Sequence, residues 1–272
     1  MTSGMGNLDD ILAGANSMGA ATLDLINAND MGATIQNGLG ITPDDIQASS
    51  ATLIAVLADD SGSIGSIRGG EQMIADGYNS YMDALKGSKD EDGIAVGTWL
   101  VSNPDMPLQP FVAISNVTRL DVGRNYRAHS GTPLYRTVCN IIATLATKAQ
   151  AEFYDAGVPC KCILLIITDG DDQDRGNQFT AARCATLIRD MGESLIVQFM
   201  GIDDGRTDFR AIAREMGIND NQVVVPGFNA HDIRQAFAMA SRSAKVASQN
   251  AGAGFTAASQ SGLAGGFVNL VD

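Results

Sequence analysis

Two stretches of the chain, Thr52-Leu-Ile-Ala-Val-Leu57 and Cys162-Ile-Leu-Leu-Ile-Ile167, are continuous apolar runs. Such runs read as strands buried on both faces, and a strand of that kind needs helices above and below it. Helical and strand patterns alternate around them. Met73, Ile74, Gly77, Tyr78, Tyr81, Met82 and Leu85 recur at three- and four-residue steps, which predicts a helix. Ile94 to Val101 reads as a strand, and Phe111 to Ile114 as a short one pairing back on it. Pro133 to Phe153 reads as a long helix with Leu134, Val138, Ile141, Ile142, Leu145 and Phe153 inward. A helix at 178–191, a strand Leu195–Met200, a helix Asp208–Met216, a strand Val223–Val225 and a helix Ala230–Ser243 complete the series. This alternation predicts an α/β, doubly wound, mostly parallel six-stranded sheet, Rossmann-like, with helices on both faces.

The alternating zone spans about 51–248. Before it, residues 1–50 form an acidic, Gly/Ala-rich arm with six Asp and no Lys, Arg or Glu. Short helical stretches are expected there, with Leu8, Ile11 and Leu12 on one face and Leu23, Leu25 and Ile26 more loosely on another. Gly32, Gly38 and Gly40 are expected to break the chain, and Thr42-Pro43-Asp44-Asp45 to start a helix with Thr42 as cap. After the alternating zone, 249–272 is a Gly/Ala/Ser tail whose only charge is Asp272. The tail is neither charged nor Pro-rich, unlike ordinary solvated disorder. Docking on a neighbouring subunit and folding back on its own domain are both open for it.

A formal charge of −13 repels phosphate backbones and anionic bilayers, which argues against nucleic acid and membrane partners. The start of the chain has neither a basic n-region nor an apolar h-region, and the four cysteines, Cys139, Cys160, Cys162 and Cys184, follow no disulfide or zinc-knuckle spacing. A reducing, cytoplasmic setting is the expectation.

In an open parallel sheet, ligands bind beyond the carboxyl ends of the strands. After the first apolar run comes Asp59-Asp60-Ser61-Gly62-Ser63, and after the second Thr168-Asp169-Gly170. Ser130-Gly131-Thr132-Pro133 opens the long helix. Asp59, Ser61, Ser63, Thr132 and Asp169 are hard oxygen donors, suited to Mg²⁺, with Mn²⁺ or Ca²⁺ as alternatives. An extended turn would point Asp59, Ser61 and Ser63 the same way. Thr132 has a competing role as helix N-cap.

The three pieces resemble the metal-ion-dependent adhesion site of von Willebrand factor A-type domains in order, strand-end position and separation, over about residues 50–248. The resemblance implies direct metal bonds from Ser61 and Ser63, and direct or water-mediated ones from Asp59, Thr132 and Asp169. It also implies a non-enzymatic module that binds a protein partner whose Asp or Glu completes the coordination sphere. The alternative is a structural subunit of a large homo-oligomer, self-associating through the two arms.

Other chemistries fit less well. The segment 62–70 lacks a phosphate-binding signature, and His129 is the one candidate base beside the site. Asp171, Asp172 and Asp174 fail EF-hand spacing and read as a solvated loop, and Asp203 and Asp204 as rim residues.

Overall fold

The structure, a computed structural model of the chain, describes residues 18–28, 31–129, 131–174 and 178–249. The strands are β1 (Ala51–Ala58), β2 (Ile94–Leu100), β3 (Gln109–Ala113), β4 (Cys160–Thr168), β5 (Leu195–Gly201) and β6 (Val223–Val224). They form one sheet in the order β3-β2-β1-β4-β5-β6, parallel throughout except for antiparallel β3 at one edge. Order reverses between β1 and β4, so the chain crosses first to one side of β1 and then to the other. The loops that follow these two central strands therefore diverge over a shared crevice.

The helices are α1 (Ala20–Ala28), α2 (Gly32–Leu39), a short α3 (Gly62–Ser66), α4 (Gly70–Lys86), α5 (Leu134–Ala146), α6 (Ala181–Met191), α7 (Phe209–Glu215) and α8 (Ala230–Gln249). They cover both faces, because the stretches 53–58 of β1 and 162–167 of β4 are apolar at every register. Leu53, Ala55 and Leu57 of β1 pack with α1, α2, α5, α6 and α7 on one side. Ile54, Val56 and Ala58 pack with α3, α4 and α8 on the other. α4 and α8 touch closely: a Cβ on Gly77 would lie 2.2 Å from the Phe237 ring. No helix among the described residues is long and apolar enough to cross a membrane.

Several elements differ from their sequence patterns. Gly32 and Gly38 do not break the chain but lie in α2, where Gly38 faces Trp99 and Thr144 too closely for a side chain. Only Gly40 is a breaker, with φ of +59° and the Phe111 carbonyl where a Cβ would project. Thr42 and Asp45 do form a capping box, but it closes a single 3₁₀ turn, Pro43–Asp45, and no α-helix follows. The described part of the N-terminal arm packs on the body of the domain: Leu25, Ile26, Ile35 and Leu39 join the core. Thr22 donates N–H and hydroxyl bonds to Asp190 at the end of α6. The long helix changes pitch after Ala146 and runs on as a π segment, Thr147–Phe153. In that segment Lys148 is fully buried and salt-bridged to Glu152 at 2.8 Å. The expected face at Leu8, Ile11 and Leu12 and the tail after Gln249 lie outside the described residues.

Candidate metal centre

Parallel pairing of β1 with β4 sets Ala58 opposite Ile167, and the ladder continues one step further through the Asp59 N–H to the Ile167 carbonyl at 3.0 Å. The two acids that follow the strands are thereby brought side by side. Asp59 is fully buried and its carboxylate is a hub. One oxygen accepts the Ser61 N–H at 2.7 Å, and the other accepts the Thr168 hydroxyl at 2.7 Å and the Asp169 N–H at 3.4 Å. It thus ties the loop after β1 to the loop after β4.

The loop is not extended through Ser63. Ser61 keeps an extended backbone at the N-cap of α3, and the helix begins at Gly62. The two serines converge because one ends the extended segment and the other opens the helical turn. Their hydroxyl oxygens are 2.8 Å apart, and both reach Asp169 Oδ1, Ser63 at 2.8 Å and Ser61 at 3.2 Å. Adjacent oxygens on an octahedron with metal–oxygen bonds of ~2.1 Å are about 3 Å apart. The triangle of Ser61 Oγ, Ser63 Oγ and Asp169 Oδ1 matches one face of such a polyhedron. Ser63 is exposed, so this face opens to solvent.

Burial, and then the neighbouring Asp59 charge, push the Asp169 carboxyl up to about 6 from 3.8, against the opposing bonds from Ser63 and Ser61. The pair is thus short of positive charge, which a cation would supply.

Thr132 sits in the middle segment, wedged between the other two. On one side the His129 N–H donates to the Asp60 carbonyl at 2.6 Å, and on the other the Gln173 N–H donates to the Thr132 carbonyl at 2.9 Å. The N-cap competition is resolved against capping. The cap position of α5 is Pro133, and the Tyr135 N–H is satisfied instead by Asp172 Oδ1 at 3.0 Å. The Thr132 hydroxyl is buried and has no hydrogen-bond partner among the described residues. A buried hydroxyl left unpaired is costly, and it marks where a further oxygen ligand is on offer.

Several supporting residues carried no signal in the sequence. Asp60 turns away from the centre and accepts the Ser102 N–H at 2.9 Å and hydroxyl at 2.6 Å, joining the loop to the end of β2. Its burial raises its pKa, and the Ser102 bonds oppose that. The buried Tyr126 hydroxyl donates to the Asp59 carbonyl, and Glu71 Oε1 accepts the Ala128 N–H at 2.6 Å. Asp172, expected in a solvated loop, is half-buried as the α5 cap. Asp204 is used by its own loop, accepting from Arg206 and Thr207. His129 is exposed. Among the described residues no group of three or more His, Cys, Asp or Glu converges to hold a metal, so a cation here would depend on the hydroxyls.

No protein-family model matches the sequence, and no curated protein does. Solved structures do match in fold. A pilus adhesin, SpaC from Lactobacillus rhamnosus GG, aligns in its open conformation with a TM-score of 0.52 at 12% identity over 77% of this chain. A second form of that adhesin gives 0.53. Proximal thread matrix protein 1 from the mussel byssus, described with a zinc-occupied MIDAS motif, aligns at 0.48 with 15% identity over 73% of this chain. The chain spans 31% of the adhesin's length and 46% of the byssus protein's. The fold is that of the von Willebrand factor A-type domain.

Proposed function

We propose that the chain is a divalent-cation-dependent protein-binding module of the adhesion type. Asp59, Ser61, Ser63, Thr132 and Asp169 would hold one hard cation, Mg²⁺ with Mn²⁺ or Ca²⁺ as alternatives. When bound, the cation supplies a Lewis-acidic position to a carboxylate from a partner's Asp or Glu. The protein's own share is to present oxygens without reorganisation. Asp59 holds the two loops together through backbone and hydroxyl donors. The two serines and Asp169 form the oxygen triangle, which reaches solvent at Ser63.

The observation that carries the reading is the unpaired, buried Thr132 hydroxyl beside this triangle of oxygens. A binding role is favoured over catalysis because the two carboxylates are engaged in holding the site together, Asp59 by the Ser61 N–H and Thr168 hydroxyl and Asp169 by the two serine hydroxyls.

Calorimetric titration of Mg²⁺ into the full chain tests the reading. Ser63→Ala, at an exposed position, should weaken Mg²⁺ binding by about tenfold or more. Asp59→Ala should abolish it. Unchanged affinity in Ser63→Ala would overturn the assignment.

A further inference from the structure

One flank of the loop after β1 is basic in a chain whose formal charge is −13. The segment 118–129 runs up beside α4 and abuts the candidate centre. The His129 N–H meets the Asp60 carbonyl, the Tyr126 hydroxyl meets the Asp59 carbonyl, and Ala128 lies where a Cβ on Gly65 would project. This segment carries Arg119, Arg124 and Arg127 against a single acid, Asp121.

Arg119 is already paired with Asp83 at 2.7 Å. Arg124 and Arg127 are exposed and form no ion pair among the described residues. Arg127 donates to the Gly123 carbonyl at 2.9 Å, which positions the guanidinium and leaves its charge uncompensated. A cleft of about 550 Å³ opens beside Arg124, lined by Arg119, Leu120 and Asp121 among others. Exposed Arg68 follows α3 nearby. The opposite flank is net acidic, with Asp171, Asp203, Asp204 and Asp208 exposed against Arg206. A ligand arriving at the centre therefore meets positive charge on one side and negative on the other.

Resting on the metal-centre reading above, we infer that the partner segment is an acidic peptide. One of its carboxylates takes the cation, and others lie along the 118–129 flank against Arg124 and Arg127. Guanidinium forks suit carboxylates geometrically, and two exposed arginines add modest affinity while fixing direction.

The probes are two fluorescently labelled Gly/Ser peptides, one with a single Asp and one with that Asp flanked on each side by two Glu. Binding to the full chain is read by anisotropy in Mg²⁺ and in chelator, at low and high salt. The Glu-flanked peptide should bind about three- to tenfold more tightly in Mg²⁺ at low salt, with the advantage shrinking at high salt. The double variant Arg124→Gln/Arg127→Gln should erase that advantage while leaving the Mg²⁺ titration and the single-Asp affinity unchanged.

An advantage that survives in the double variant overturns the inference, and so does the absence of any advantage or of any peptide binding. If the wild type takes up no Mg²⁺ and the double variant still loses the Glu-flanked peptide, the metal reading fails and the arginine contact stands.

Discussion

Replacing Thr132 with Val should make the metal-free protein more stable. Thr132 is 1% exposed and its hydroxyl has no hydrogen-bond partner among the described residues. An unpaired buried hydroxyl costs about 1–3 kcal/mol. Valine is β-branched and of nearly the same shape, so it fills the same volume with the same backbone preference. The residue's backbone duties, its carbonyl accepting from Leu134 and Gln173, are untouched. In chelator, Thr132→Val should therefore gain about 1 kcal/mol, or roughly 2–4 °C in melting temperature for a domain of this size.

Mg²⁺ should invert the order. The wild type gains about 2.7 kcal/mol at a hundredfold excess over the dissociation constant, whereas the variant, missing one ligand, gains less at the same concentration. Differential scanning calorimetry at neutral pH, with chelator and with Mg²⁺, reads both effects. A helix-capping role predicts the opposite: a loss of about 0.5–2 kcal/mol whether or not metal is present. A variant that melts below the wild type in chelator would refute the reasoning.

Two further outcomes follow from the packing and charge of the site. Asp169 is held at about 6 against an ordinary 3.8, so its contribution to metal-free stability is full below 3.8 and is lost as pH rises through 6. Asp169→Asn keeps an acceptor for both serines and should be more stable than wild type in chelator at pH 7.5, by up to about 3 kcal/mol, with the gap closing toward pH 4. Equal melting temperatures at pH 7.5 count against this. Gly77→Ala places a methyl 2.2 Å from the Phe237 ring between α4 and α8, and should lower stability by about 1–3 kcal/mol in urea unfolding. An unchanged midpoint would show that the helices can separate at no cost.

The architecture was legible because its signals are local. Residues 53–58 of β1 and 162–167 of β4 are apolar throughout because both of their faces are covered, and that leaves an uninterrupted run in the sequence. The candidate ligands were legible for a related reason: acids and hydroxyls directly after buried strands stand at the edge where parallel sheets bind. Element ends were less so. Gly32 and Gly38 look like breakers, yet α2 keeps them because Gly38 lets Trp99 and Thr144 approach, a contact with residues far along the chain.

The sequence alone thus determined which segments are strands, in what order they alternate with helices, and which oxygens stand at their ends. Those properties follow from hydrophobic period and turn chemistry within a few residues. Only the tertiary structure decided that Asp172, not Thr132, serves the first turn of α5, that Asp60 turns to Ser102 while Asp59 turns to Thr168, and that Tyr126 braces the loop. Each of those choices pairs groups from segments tens of residues apart. A buried polar atom is satisfied by whatever the fold brings to it, and its neighbours in the sequence carry no record of which partner that is.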